Sequence, residues 1–134
     1  MMAQPTRRKH ESPPLVLIVD DFDDSRAMYA EFLTYSGYRV EQAGNGLEAV
    51  ELTQRLLPDA VVMDLSLPIV DGWEASRRLK ADERTRRIPI IALTGHSFLG
   101  RAAGGKVGGC DALLVKPCLP EELVAKLDEL VRPF

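Results

Sequence analysis

LVLIVDD, at residues 15–21, is a run of five apolar residues that ends in an acidic pair. An unbroken apolar run of this length is typical of a strand that is covered on both faces, as in a parallel sheet. Comparable runs recur at residues 60–63, 90–93 and 112–115, and longer segments of helical period separate them. This alternation predicts an α/β fold built around a parallel sheet.

One further strand is predicted at residues 38–42, where apolar and polar side chains alternate. Alternation of this kind favours a position at the edge of the sheet, where one face is wetter. The sequence therefore predicts five strands, four of which are covered on both faces.

Five helices are predicted, at about residues 24–36, 46–57, 72–80 and 98–106 and from residue 120 onward. Asp23 or Asp24 is expected to cap the first helix and Gly37 to end it, and Asn45 is expected to cap the second. Pro120 suits the first position of the fifth helix. Right-handed crossovers then place helices on both faces of the sheet.

The fourth predicted helix is rich in glycine, at Gly104, Gly105, Gly108 and Gly109. Each glycine within a helix costs up to about 1 kcal/mol relative to alanine. We therefore expect the last turns of this helix to fray.

Composition limits the range of functions. The 134 residues, 46% hydrophobic and 28% charged, suit one domain. The net charge of −3 is dispersed along the chain, which disfavours binding of nucleic acid or of an anionic membrane by this chain alone. The sequence has neither a long apolar run nor the pattern of a secretory signal, so we expect a cytoplasmic protein.

Residues 1–13 are polar, contain the basic cluster Arg7-Arg8-Lys9 and end in prolines. Such a composition cannot bury enough apolar area to order itself, so we expect a flexible tail before a domain at residues 14–134. A basic docking arm is the alternative. Cys110 and Cys118 match neither a disulfide framework nor a zinc pattern, which predicts free thiols.

Charged and hydroxyl side chains follow the strands where the strands end. Asp20 and Asp21 follow the first strand, Asp64 follows the third, Thr94 the fourth and Lys116 the fifth. The carboxyl ends of parallel strands meet at one edge of the sheet, which is where α/β proteins place their functional groups. We therefore expect these five side chains to converge.

Taken singly, each of these residues could be a helix cap, a turn residue or a surface residue. Taken together, three carboxylates within about 5 Å repel by roughly 3 kcal/mol per pair at an effective dielectric near 20. Lys116 and a divalent cation would offset that repulsion. An all-oxygen ligand set favours Mg²⁺, and no His or Cys is placed to favour zinc or copper. Mg²⁺ and an amine together support phosphoryl transfer, with a carboxylate as the acceptor.

These motifs resemble the receiver domain of bacterial two-component response regulators. The resemblance extends from about Pro14 to Leu130. Its motifs stand in the family's order, namely Asp20-Asp21, Val62-Met63-Asp64-Leu65-Ser66-Leu67-Pro68 with Asp71-Gly72, Leu93-Thr94-Gly95 and Val115-Lys116-Pro117.

The resemblance implies a role for each site residue. Asp64 would be the phosphoacceptor. Asp20 or Asp21, together with Asp64 and the backbone carbonyl of Ser66, would hold Mg²⁺. Two further groups would contact the phosphoryl oxygens, the hydroxyl of Thr94 and the amine of Lys116.

The resemblance also implies a fold and partners. The fold would be flavodoxin-like and doubly wound, with strand order 2-1-3-4-5 and five helices on both faces. The phosphoryl donor would be a histidine kinase or a phosphotransfer protein, with small phosphodonors as substitutes. The fourth helix, fifth strand and fifth helix would bind a downstream effector protein.

Two positions bear on the switch. Receivers commonly carry an aromatic residue three positions before the lysine, where this chain has Leu113. The glycine-loosened fourth helix could therefore respond by order and disorder instead. His96 lies two residues after Thr94 and is either a solvated loop residue or a group that tunes the phosphoryl lifetime.

Other functions fit the sequence less well. A flavodoxin-like electron carrier would not place the acids of residues 20–24 beside a phosphate, and an aspartyl phosphatase would want a second acid where Ser66 stands. A receiver-like interaction module that is never phosphorylated is the main alternative. The chain is expected to act as a stand-alone regulator, unless it is a receiver fragment of a longer regulator or hybrid kinase.

Overall fold

The computed structural model describes residues 13–95 and 109–131. Within them a single parallel sheet has the strand order β2-β1-β3-β4-β5. Its strands are β1 Leu15–Val19, β2 Arg39–Ala43, β3 Ala60–Asp64, β4 Ile90–Thr94 and β5 Ala112–Val115. The five predicted strands and the predicted strand order are confirmed, with strand ends that differ by at most one residue.

Four helices lie in the described part of the chain: α1 Asp23–Tyr35, α2 Gly46–Leu56, α3 Gly72–Ala81 and α4 Pro120–Val131. They match the first, second, third and fifth predicted helices. The predicted fourth helix at residues 98–106 and nearly all of the predicted tail at residues 1–13 lie outside the described residues. None of the described helices is long and apolar enough to span a membrane.

Each face of the sheet carries its own apolar core. Leu17 and Met63 belong to one cluster, with residues of α2 and α3, and Ile18 and Val62 belong to the other, with residues of α1 and α4. Successive residues of a strand point to opposite faces, so a run without polar residues supplies both cores. This arrangement is the doubly wound architecture that the sequence predicts.

β5 differs from the prediction that its run is covered on both faces. All four of its residues are only half-buried. The reason is its position at the edge of the sheet, where it pairs with β4 alone. β2, the other edge strand, is mostly exposed, as its alternating sequence predicts.

The helix ends are set by local side chains. Asn45 accepts a hydrogen bond from the backbone N–H of Glu48 at 2.8 Å, which confirms it as the cap of α2. Gly37 has a φ of +100° just after α1, as expected for a stop. The predicted cap of α1 by an aspartate is wrong, because Phe22 occupies the N-cap and both acids lie in the first turn, where the helix dipole still favours them.

Two non-glycine residues in the described ranges have a positive φ, Leu57 at +48° and Ile69 at +70°. The left-handed region costs an L-residue about 1–2 kcal/mol, and a β-branched side chain is especially rare there. Leu57 ends α2 just before β3, whereas Ile69 lies in the loop after β3. The two strained residues therefore flank opposite ends of the same central strand.

Candidate functional site

The three predicted carboxylates meet at the carboxyl edge of the sheet. Asp20, Asp21 and Asp64 each offer an oxygen within 4.8 Å of the others. Asp20 and Asp64 are buried, 1% and 6% exposed, and Asp21 is exposed. They converge because β1 and β3 are neighbours in register and both end at this edge. The site thus concentrates negative charge in a partly desolvated cleft.

Lys116 supplies a positive charge to this cluster. Its Nζ donates a hydrogen bond to Asp64 Oδ2 at 3.0 Å and lies 3.8 Å from Asp20 Oδ2. The residue directly follows β5, and the next peptide bond, Lys116-Pro117, is cis. One amine therefore faces two buried carboxylates and leaves the cluster of acids with excess negative charge.

Asp20 has one satisfied and one unsatisfied oxygen. Its Oδ1 accepts a hydrogen bond from the backbone N–H of Phe22 at 2.9 Å. Its Oδ2 is buried and has no hydrogen-bond partner among the described residues. Lys116 Nζ, 3.8 Å away, is too distant to donate a hydrogen bond, so it offsets only part of the free-energy cost of burying this carboxylate oxygen. The hard oxygen ligands and this unfilled oxygen fit Mg²⁺.

Asp64 is held from both sides. Its Oδ1 accepts a hydrogen bond from the backbone N–H of Ser66 at 2.9 Å, and its Oδ2 accepts from Lys116. Burial is the main cause that raises the pKa of Asp64, and the charge of Asp20 adds to it, whereas the Ser66 N–H and Lys116 oppose the rise. In the metal-free protein this carboxyl therefore holds a proton more readily than an ordinary aspartate does.

Thr94 ends β4 beside Asp64 and is buried. Its hydroxyl donates to the backbone carbonyl of Gly95 at 3.2 Å, and its own carbonyl accepts from the N–H of Lys116 at 2.7 Å. The hydroxyl therefore bonds within its own loop, and its backbone is tied to the lysine.

The remaining predicted residues are placed less tightly. Ser66 is exposed, and its described contact to Asp64 is through its N–H, so the role of its carbonyl stays a prediction. Leu113 is half-buried and packs against the core on the α2 and α3 side of the sheet. His96 lies outside the described residues.

Arg26, which braces the acidic loop, was not among the predicted site residues. Its Nη1 donates to the backbone carbonyl of Asp20 at 2.8 Å, its Nη2 to Asp23 Oδ1 at 2.9 Å and its Nε to Gln42 Oε1 at 3.0 Å. The spacing of Asp23 and Arg26, three residues apart on a predicted helix, was the available signal. The contact to Asp20 depends on a loop conformation that periodicity does not encode.

Two glycines let backbone segments approach at the site. A Cβ on Gly72 would lie 2.2 Å from the Asp64 carbonyl oxygen, and a Cβ on Gly46 would lie 1.7 Å from that of Val70. The N–H of Gly72 also donates to the Leu65 carbonyl at 3.2 Å. The loop from β3 to α3 is therefore closed on itself beside Asp64 and packed against the start of α2.

Comparison with known sequences points to one family. Residues 16–128 match the family model of the response regulator receiver domain. The polar-differentiation response regulator DivK of Brucella anthropi is 37% identical over 105 residues, which cover 78% of this chain and 85% of the relative. The DNA-binding dual master transcriptional regulator RpaA of Synechocystis is 37% identical over 119 residues, 89% of this chain but only 49% of that protein.

Solved structures agree with this assignment. A putative response regulator of Chloroflexus aurantiacus superposes with a TM-score of 0.84 at 33% identity, covering 90% of this chain and 99% of its own. The receiver domain of the sensor histidine kinase PA1611 of Pseudomonas aeruginosa, which has a magnesium ion coordinated in its active-site cleft, gives 0.83 at 33% identity, with coverage of 90% and 99%. The chemotaxis response regulator CheY4 of Vibrio cholerae gives 0.81 at 31% identity, with coverage of 89% and 99%.

Proposed function

This chain belongs to the response regulator receiver domain family, and we propose that within it the chain is a Mg²⁺-dependent switch that accepts a phosphoryl group on Asp64. The observation that carries the proposal is the buried Asp64 carboxylate, which accepts a hydrogen bond from Lys116 at 3.0 Å. The same acidic cluster contains Asp20 Oδ2, which is buried and has no hydrogen-bond donor among the described residues. A cluster of this charge attracts a divalent cation, which in turn offsets the negative charge of a phosphoryl group on the carboxylate.

The donor is a histidine kinase or a phosphotransfer protein. Transfer breaks the P–N bond of the donor phosphohistidine and forms a P–O bond to Asp64, and the electron pair of the broken bond stays on the imidazole. Lys116, already hydrogen-bonded to the acceptor, offsets the negative charge on the phosphoryl oxygens.

Asp20, Asp21, Asp64 and the Ser66 carbonyl are the groups that would hold Mg²⁺. The ion, when bound, neutralises charge on the carboxylates and on the phosphoryl group. Asp20 Oδ2 supports this assignment, because it is buried and lacks a donor in the described structure.

Thr94 couples the site to the surface. Phosphorylation adds about −1.5 to −2 of charge and three acceptor oxygens to the site. The Thr94 hydroxyl then leaves the Gly95 carbonyl and donates a hydrogen bond to one of these oxygens. Because the Thr94 carbonyl is bonded to the Lys116 N–H, the ends of β4 and β5 move together. The effector protein binds β5, α4 and the predicted fourth helix, whose residues 98–106 lie outside the described structure.

The chain is a signalling domain, and we propose that its chemistry is limited to its own phosphorylation and dephosphorylation. Leu113 tunes the switch and His96 tunes the phosphoryl lifetime. An unchanged dephosphorylation rate in His96→Ala would show that the histidine has no such role.

We further propose a cytoplasmic location and a domain at residues 14–134. A second candidate is that the chain is the receiver part of a longer regulator or hybrid kinase. The likeness to RpaA and to the PA1611 receiver favours it.

Intact mass spectrometry tests the proposal. With Mg²⁺ and acetyl phosphate, the chain should gain the mass of one phosphoryl group, and Asp64→Asn should gain none. Asp59→Asn is the matched control, since Asp59 is a half-buried aspartate at the other edge of the sheet, where its Oδ2 accepts from the Leu15 N–H. An unlabelled wild-type chain that also fails to bind Mg²⁺ would favour the interaction module that is never phosphorylated.

A further inference from the structure

Ile69 combines two unfavourable features in the loop between β3 and α3. Its φ of +70° lies in the region that β-branched residues avoid, and its residue surface is 76% exposed. Glycine or asparagine would adopt this backbone conformation at lower cost. Neither backbone preference nor burial accounts for an isoleucine here, which points to a contact between this side chain and another molecule.

The loop that carries Ile69 is anchored at the acceptor at both of its ends. Near its start, the Ser66 N–H donates to Asp64 Oδ1, and at its end Gly72 donates to the Leu65 carbonyl and abuts the Asp64 carbonyl. Ile69 precedes Gly72 by three residues, so their Cα atoms are at most about 11 Å apart. The exposed apolar side chain therefore belongs to the immediate surroundings of the phosphorylation site.

We propose that Ile69 is a docking contact for the protein that donates the phosphoryl group, an inference that rests on the proposed function. Asp64 is 6% exposed, so a protein donor reaches it only by seating its phosphohistidine among the loops around the cleft. Two of those loops carry further exposed apolar residues, Phe22 after β1 and Leu119 after β5. A donor with an apolar surface around its phosphohistidine covers all three, whereas a small phosphodonor needs none of them.

Ile69→Asn and Ile69→Leu separate the apolar contact from the chemistry of the site. The protein donor in the test is a histidine-kinase core, autophosphorylated with ATP, chosen from the kinases of the same organism as the fastest donor to the wild-type chain. Ile69→Asn should raise the KM for this donor about tenfold, with labelling by acetyl phosphate unchanged, and should raise the melting temperature. Ile69→Leu, which keeps an apolar side chain, should transfer at close to the wild-type rate.

Leu57→Asn is the matched control. Leu57 also has a positive φ and a largely exposed side chain, but it ends α2 on the side of the sheet remote from the carboxylates. Leu57→Asn should raise the melting temperature and leave unchanged both the KM for the kinase core and the rate of labelling by acetyl phosphate.

Several outcomes would overturn the docking role. Ile69→Asn could accept from the kinase core as well as the wild type does, or it could slow acetyl phosphate labelling equally, which would place the defect in the site itself. A wild-type chain that acetyl phosphate labels and no kinase core labels would also overturn it. Failure of acetyl phosphate to label the wild type would instead count against the proposed function, which keeps the two tests distinct.

Discussion

The amino ends and the carboxyl ends of the strands, here the amino edge and the carboxyl edge of the sheet, use aspartates in opposite ways. At the amino edge, Asp111 Oδ2 accepts from Lys80 Nζ at 2.9 Å and from the Ile90 N–H at 2.8 Å, and Asp59 accepts from the Leu15 N–H. At the carboxyl edge, three aspartates crowd together and one buried oxygen has no donor among the described residues. The first arrangement stabilises the fold, and the second stores unfavourable negative charge that a divalent cation can relieve.

Lys80 makes the contrast sharper. Its Nζ donates to the carbonyls of Arg86 and Ile88 as well as to Asp111, so it closes a network of satisfied groups. Lys116 instead faces two carboxylates and satisfies only part of their demand. Satisfied networks rigidify a structure, whereas partly satisfied ones are available for binding and chemistry.

Among the variants that keep the Asp64 acceptor, the largest effect is expected from Lys116→Met. Removing the amine takes away a charge-assisted hydrogen bond to Asp64, so labelling by acetyl phosphate should slow about 10- to 100-fold. Quantitative mass spectrometry over time measures the rate. Lys126→Met, which removes only a surface ion pair with Glu129, is the control, and an equal rate in both variants would erase the distinction between the two lysines.

Asp111→Ala should lower the free energy of unfolding by about 2 kcal/mol, because it leaves the Lys80 amine and the Ile90 N–H without their shared acceptor. Denaturant titration measures the loss. Glu129→Ala should change stability by less than about 0.5 kcal/mol. Phosphorylation of the Asp111 variant should persist under folding conditions, and a specific loss of labelling would mean that the amino edge also serves the chemistry.

Arg26→Met should weaken Mg²⁺ binding about tenfold, since groups that position metal ligands commonly have effects of this order. The arginine holds the Asp20 carbonyl and the Gln42 side chain, so without it the acidic loop keeps only the hydrogen bond from the Asp20 N–H to the Ala43 carbonyl as its tie to β2 among the described contacts. Calorimetric titration with Mg²⁺ measures the affinity. Arg78→Met, which removes a surface pair with Glu74 on α3, should bind Mg²⁺ as the wild type does. Equal affinities in both variants would refute the bracing role.

The smallest effect is expected in the stability of the metal-free protein. The folded-state pKa of Asp64 is raised, chiefly by burial, so the ionised carboxylate destabilises the folded state, and stability falls as pH rises from the ordinary pKa through the raised one. At neutral pH in EDTA, Asp64→Asn should therefore melt above the wild type, and the gain should vanish in acid below the ordinary pKa. A lower melting temperature at neutral pH would show that the pairing with Lys116 outweighs burial.

The central architecture could be predicted because its signals are local in the sequence. Apolar runs such as residues 15–19 and 60–63 marked the buried strands, and the acids directly after them had to meet at one edge. Lys116 followed from the same reasoning on β5. Hydrophobic period and strand order together therefore determine most of the position of the site.

Loop conformations accounted for what the sequence did not predict. The cap of α1 falls on Phe22 because Asp20, not Asp23 or Asp24, accepts the hydrogen bond that shapes the turn. The positive φ of Ile69 contradicts the preference of its residue type, so propensity points away from it. Such features depend on which backbone groups find partners after the strands have assembled.

Gly46 and Gly72 give the region around Asp64 an unusual sensitivity to steric change. At each position a single methyl group would act as a wedge between two main-chain segments, at 1.7 Å and 2.2 Å from a carbonyl oxygen. In a library of random variants selected for signalling, both positions should therefore be depleted of every side chain, although neither glycine takes part in the reaction. These two residues therefore contribute to the function of the site because they lack a side chain.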